Sequence, residues 1–230
     1  VGSDLILGTD PDSDRVGVMV RGADGEYHTI TGNQMGVLLL DYIITARRRK
    51  GTLPENAAAI STIVTSKMVR RICDVNDIHF DETFTGFKFM AEKLAEYQRD
   101  GSYQYVLAFE ESYGYMMGDY VRDKDAVTAC VMITEMAAYY FEQGMTLAQA
   151  LDALYEKYGF YGERTLNLVM PGLDGLEKMR ALMAQLRREP LQEIAGTKVV
   201  RMRDYQDGSV YVMGLGKMDK TPISDSNVLY

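Results

Sequence analysis

Cysteine, proline and long apolar runs are all scarce in this sequence, and each scarcity closes off a class of protein. The two cysteines, Cys73 and Cys130, lie far apart in helical patterns without partners at metal spacing. Neither a disulfide scaffold nor a zinc site is indicated, and a reducing cytoplasm fits best. The five prolines and 21 glycines are scattered, with no repeat and no low-complexity stretch, so disorder has no support. No segment reaches the roughly 18 apolar residues that span a bilayer, and no secretory core opens the chain. Membrane insertion and secretion are therefore not expected, although a chain that opens at Val1 instead of Met leaves room for a removed leader. Positive charge is short too: the net charge is -8 and the pI about 4.9, which repels phosphodiester backbones. Arg47 to Lys50 is the basic run, and it follows a helical apolar stretch, where cations suit a helix C-terminus. Nucleic acid is a poor partner for such a surface.

What the chain does hold is enough apolar material for a core. With 230 residues and 47% hydrophobic content it can form one large domain or two. Asp4 to Gly8 reads as a strand that enters an acidic loop, and Val16 to Val20 as the strand that leaves it. Asp24-Gly25 is a turn signal, and Thr31 with Gln34 forms a capping box for a helix to about Ala46. Alternation follows: strand Ala57 to Ile63, helix Lys67 to Asn76, strand Ile78 to Thr83, helix Phe87 to Arg99, strand Tyr105 to Phe109, helix Ala126 to Phe141. Thr146 with Gln149 caps a further helix to about Lys157, and Gly159 to Gly162 read as a hinge. Strand, helix, strand and strand then complete the pattern. The expected class is α/β, a mainly parallel mixed sheet flanked by helices, with partial neighbouring domains at both ends.

Asp10, Asp12 and Asp14 alternate with Pro11 and Ser13, which crowds three carboxylates into one tight loop. Like charges so close call for a cation, and hard oxygen ligands suit Mg²⁺, which keeps positions free for water or a substrate phosphate. A calcium loop would need Gly and Glu where Arg15 and Arg21 stand. Arg15 adds a bidentate donor suited to a phosphoryl oxygen. Two other readings are a solvated turn with capping acids and a haloacid-dehalogenase-like phosphatase with Asp12 as nucleophile and Asp14 as general acid. The phosphatase pattern wants an apolar strand immediately before Asp12, and Gly8-Thr9-Asp10-Pro11 intervenes.

Two further loops carry chemistry. Thr85-Gly86-Phe87-Lys88 joins a strand to a helix, where a helix N-terminus favours an anion. Glu110-Glu111-Ser112-Tyr113-Gly114 follows a buried strand at its carboxyl end, where open α/β sheets bind ligands. A carboxylate and a hydroxyl two residues apart can bracket adjacent sugar hydroxyls, or the acids can simply solvate a loop. The Met and Leu of Met132 to Met136 and Leu176 to Leu186 read as core faces.

In this order the three loops resemble the phosphoglucomutase/phosphomannomutase superfamily, whose metal loop reads Asp-x-Asp-x-Asp-Arg and whose sugar loop reads Gly-Glu-x-Ser. The resemblance implies Asp10, Asp12 and Asp14 as Mg²⁺ ligands, with Arg15 at the phosphate. It implies Glu110 and Ser112 as sugar contacts, Thr85, Gly86 and Lys88 as substrate-binding, and Arg122, Lys124 and Asp125 as the family's Arg-x-Lys-Asp stretch. There Arg122 would bind substrate and Lys124 would be a catalytic cation. Phe109 departs from the family's usual Gly. By the same resemblance, residues 1–47 close the second domain, 48–165 form the third and 166–230 begin the fourth, truncated before the phosphate clamp.

The implied activity is interconversion of hexose 1-phosphate and 6-phosphate through a phosphoserine and a hexose 1,6-bisphosphate. The nucleophile loop Thr-Ala-Ser-His-Asn-Pro is absent, and neither His28 nor His79 follows a serine. The chain is thus expected to be inactive alone and to need the remaining N- and C-terminal domains of its parent. A non-catalytic sugar-phosphate-binding module is the third reading. Which hexose is used is not written in these loops.

Overall fold

The structure is a computed structural model that describes residues 2–22, 24–164, 166, 168–172 and 174–230. The chain divides into two compact units, Val1–Glu163 and Arg164–Tyr230.

The first unit opens with an antiparallel sheet of β1 (Leu5–Thr9), β2 (Val16–Arg21) and β3 (Tyr27–Ile30) in that order. In β2 every second residue turns inward, so Val16, Val18 and Val20 are buried while Gly17 and Arg21 are exposed, the period-two pattern of a half-covered strand. The hairpin register sets Thr9 opposite Val16, which pins the acidic loop at its two ends. β3, four residues long and mostly polar, carries no strand signal of its own in the sequence.

The main sheet has the order β5-β4-β6-β7, formed by β4 (Ala57–Thr62), β5 (His79–Thr83), β6 (Gln104–Phe109) and β7 (Tyr115–Met116). β4 pairs in parallel with both β5 and β6, and β7 returns antiparallel on β6, so the sheet is mixed as expected. All six residues of β4 are buried, as a central parallel strand covered on both faces requires. Its alternation sorts two cores. Ala57 and Ala59 face one with α1 (Gly32–Arg49), α2 (Met68–Asn76), α4 (Ala126–Glu142) and α5 (Leu147–Tyr158). Ala58 and Ile60 face the other with α3 (Phe87–Asp100). The result is a helix–sheet–helix sandwich.

Local signals explain the helices. Both expected capping boxes are formed, Thr31 with Gln34 and Thr146 with Gln149, and Arg47, Arg48 and Arg49 occupy the last turn of α1. Asp125 caps α4 by accepting from the N–H groups of Val127 and Thr128. Burial pushes the Cys73 thiol up to about 12, so it is an inert core residue. No helix among the described residues is long and apolar enough to cross a membrane.

The second unit holds α6 (Gly175–Arg188), the hairpin of β8 (Glu193–Ile194) and β9 (Thr197–Lys198), and an antiparallel sheet of β10 (Arg201–Asp204), β11 (Ser209–Val212) and β12 (Gly216–Lys220). The Arg187 guanidinium grips Asp204 through two nitrogens, at 2.8 and 3.2 Å, and so fastens α6 to β10. The tail runs beside β10, where Arg203 and Tyr230 exchange backbone hydrogen bonds of 2.7 and 2.9 Å. The strand expected ahead of α6 falls on a stretch containing Thr165 and Asn167, which lie outside the described residues. The expected boundary at 48 falls in the last turn of α1, and Arg164 opens the second unit.

Candidate functional site

The parallel strands β4, β5 and β6 all end on one edge of the sheet, and the candidate loops leave from that edge. Thr85-Gly86 follows β5 and Glu110 to Gly114 follows β6. Glu110 is buried, and its Oε1 accepts a short hydrogen bond from the Gly86 N–H. Its Oε2 accepts from the Ser112 hydroxyl at 3.4 Å. The carboxylate therefore bridges the two loops. Gly86 has φ near +113°, a conformation that L side chains rarely adopt, and this backbone turns its N–H toward Glu110 at the start of α3.

The acidic loop is fastened to the same edge. Val16 N–H donates to the Tyr113 carbonyl at 3.2 Å, Arg15 bridges Gly114, and Ala126 N–H donates to the Ser13 carbonyl at 3.0 Å. One carboxylate oxygen from each of Asp10, Asp12 and Asp14 lies within 4.8 Å of the others. Asp10 Oδ1 accepts from the N–H groups of Asp14 and Arg15, each at 3.1 Å. Those bonds, the Arg15 one first, hold the Asp10 carboxyl below its usual 3.8. Hard oxygen donors so gathered, with the loop closed on itself, fit a small divalent cation.

Lys124 completes the cluster. Its Nζ stands 2.6 Å from Asp14 Oδ2 and 3.3 Å from Asp123 Oδ1, and 5.4 Å from the centre of the Phe87 ring. Burial works against its charge, but the hydrogen bond to Asp14 and the charge of Asp123 outweigh that and raise its pKa. Arg15 Nε lies 3.8 Å from Asp14 Oδ1 with much of its side chain in solvent. Lys88 and Arg122 have other partners: Lys88 is exposed over the Phe89 ring, and Arg122 donates to Gln98 on α3 at 2.7 Å. Thr85 is exposed at the rim.

At Phe109 the strand keeps its register, pairing with Ser61 and Tyr115, and the register shift of the β4–β6 ladder lies earlier, between Ala58 and Ala59. The Phe109 ring is buried against Gly36 of α1, where any Cβ would collide with it. Sequence reasoning missed three things: this packing, the seat of Phe87 beneath Lys124, and the attachment of Glu111 described below. Local spacing carries no sign of them, because each joins residues far apart in the chain.

Fold and site together define an α/β domain that gathers a carboxylate cluster, cations and a polar loop at the carboxyl ends of its parallel strands. The chain belongs to the phosphoglucomutase/phosphomannomutase family: residues 31–158 match that family's alpha/beta/alpha domain III. It is 34% identical over 227 residues to a phosphoglucomutase of Staphylococcus aureus strain N315, an alignment that covers 99% of this chain and 40% of the relative. The chain thus spans about 40% of the length of the curated relatives it matches. Among solved structures, the open form of the Paramecium phosphoglucomutase pp63/parafusin aligns with a TM-score of 0.57 at 20% identity, covering 91% of this chain and 34% of that one. An N-acetylphosphoglucosamine mutase of Aspergillus fumigatus in complex with glucose 1,6-bisphosphate aligns at 0.53 and 13% identity, covering 85% and 43%.

Proposed function

We propose that this chain is the metal- and sugar-binding part of a phosphohexomutase, an enzyme that interconverts hexose 1-phosphate and hexose 6-phosphate. The observation that carries the reading is the fastening of the Asp10-Asp12-Asp14 loop to the Glu110–Gly114 loop through Val16, Arg15 and Ala126. In this reading the stretch before α1 closes the family's second domain, the matched region is the third, and the second unit begins the fourth.

Asp10, Asp12 and Asp14 would hold Mg²⁺, which when bound would neutralise charge on a transferring phosphoryl group. Arg15, turned to solvent beside the triad, would take phosphoryl oxygens through two N–H groups. Lys124 stays charged at neutral pH and would offer its N–H groups to a phosphate oxygen or to the oxygen of a hexose hydroxyl. Glu110 and Ser112 would accept from and donate to hexose hydroxyls, with Thr85 and Gly86 on the other side. Lys88 and Arg122 are cations that would turn toward the distal phosphate. The phosphoserine would come from chain outside these 230 residues, since no Thr-Ala-Ser-His-Asn-Pro loop is present.

Phosphorus NMR on the full-length parent with glucose 1-phosphate, Mg²⁺ and catalytic glucose 1,6-bisphosphate tests the proposal. A growing hexose 6-phosphate signal is expected. Inorganic phosphate in its place would favour the phosphatase with Asp12 as nucleophile, although β1 ends at Thr9 with Asp10 and Pro11 still intervening. An unchanged spectrum with measurable binding would leave the non-catalytic module.

A further inference from the structure

The sugar loop carries two adjacent acids, and the second has its own seat. The Glu111 carboxylate lies on the β4 side of the loop, where its Oε2 accepts from Thr62 Oγ1 at 3.3 Å and from Thr65 Oγ1 at 3.4 Å. Both threonines are buried, Thr62 fully and Thr65 at 3% exposure. They form a tight turn at the end of β4: Thr65 N–H donates to the Thr62 carbonyl at 3.0 Å, Thr62 N–H donates to Thr65 Oγ1 at 3.2 Å, and the two hydroxyls are 2.7 Å apart. Two hydroxyl protons thus serve three oxygen contacts. Removing the carboxylate strips an acceptor from a buried hydroxyl pair, and removing the hydroxyls strips the carboxylate of its donors.

The backbone of the loop is also closely packed. The first turn of α1 approaches so closely that a Cβ at Gly32 would overlap the Glu111 carbonyl. Glu110 and Ser112, the neighbours on either side, are instead bonded to each other and to Gly86. Glu111 and Ser112 lie in the turn that follows β6, and the two acids are held by different partners, Glu111 by the end of β4 and Glu110 by the start of α3. Tying Glu111 down toward β4 therefore fixes the rotation that presents Glu110 and Ser112 to a ligand.

We infer that Glu111 is a positioning residue for hexose recognition: through Thr62 and Thr65 it sets the orientation of the Glu110 and Ser112 side chains that would discriminate between epimeric hexose phosphates. This rests on the phosphohexomutase reading. Misplacing binding groups by about 1 Å can cost up to about 100-fold in rate, so the loss on Glu111→Ala should reach about tenfold or more in kcat/KM.

The test uses the full-length parent with Glu111→Ala, Glu111→Gln, Thr65→Val and the Glu111→Ala/Thr65→Val double variant, assayed on glucose 1-phosphate and mannose 1-phosphate. Expected are a raised KM in Glu111→Ala and a changed ratio of kcat/KM between the two epimers. Glu111→Gln, which keeps an acceptor oxygen, should restore most of the activity, and the double variant should lose less than the product of the single losses. A purely structural role would lower kcat for both sugars equally, through a smaller folded fraction, and leave KM and the epimer ratio untouched. That result, or wild-type kinetics in Glu111→Ala, overturns the inference alone. A wild-type parent that turns over neither sugar overturns it together with the mutase reading.

Discussion

Lys124 Nζ sits 2.6 Å from Asp14 Oδ2, so the cation that follows the Glu110–Gly114 loop shares a carboxylate with the Asp10-Asp12-Asp14 cluster. A Mg²⁺ held by those carboxylates would meet this second positive charge and be repelled by it. Removing the lysine charge with Lys124→Met should therefore raise Mg²⁺ affinity, by about fivefold for a solvated site. Asp12→Asn should abolish the binding. Calorimetry on the three proteins checks both, and equal affinity in all three would disconnect Lys124 and Asp12 from any metal.

Glu110 accepts from the Gly86 N–H and from Ser112 with a buried carboxylate. Glu110→Gln keeps the shape and loses the charge, so kcat/KM in the full-length parent should fall by about tenfold or more while thermal unfolding stays near wild type. Unchanged kcat/KM removes Glu110 from substrate recognition.

Asp41 of α1 is buried and accepts from Tyr158 at 2.5 Å and from Lys157 at 2.8 Å, which holds α5 against α1. Asp41→Ala should cost about 1 to 3 kcal/mol in urea unfolding, because it leaves the buried Tyr158 hydroxyl without its acceptor. The pH dependence has a defined sign. Burial opposes the Lys157 charge, but the hydrogen bonds to Asp41 and Tyr158 outweigh it, so its folded pKa lies above the ordinary 10.5. The stabilisation is fully present below pH 10.5 and is lost as pH rises through the folded value. Urea midpoints should fall on the alkaline side in the wild type, and that part of the fall should be missing in Asp41→Ala.

Gly36→Ala should destabilise the first unit by about 1 to 3 kcal/mol, because the buried Phe109 ring fills the space where the new methyl would lie. Phe109→Leu in the Gly36→Ala background should recover part of the loss. Denaturant unfolding of the single and double variants checks the coupling, and additive losses would show that the two residues do not share the space.

Where information is local, the sequence was readable. The Thr31 and Thr146 capping boxes, the buried run of β4 and the alternating Asp10, Asp12 and Asp14 announce themselves within a few residues, and their elements formed where expected. β3 and β7 did not: four mostly polar residues and a two-residue strand hold too little pattern to detect, and partner strands alone define them. The contacts of Lys124 with Asp14, Glu111 with Thr62, and Asp41 with Tyr158 join segments far apart in the chain. No spacing rule reports such pairs. For Phe109 the sequence raised a question about the loop entrance, and the compensating Gly36 lay on another element.

The central claim is that this chain carries metal and sugar loops of a phosphohexomutase but not its nucleophile. A coupled assay for glucose 6-phosphate with glucose 1-phosphate, Mg²⁺ and catalytic glucose 1,6-bisphosphate, run side by side on the 230-residue chain and on the full-length parent, tests it most directly. The account predicts background for the 230-residue chain and turnover for the parent. Conversion by the isolated chain at an enzyme-like rate, on the order of 1 s⁻¹ or more, would contradict it.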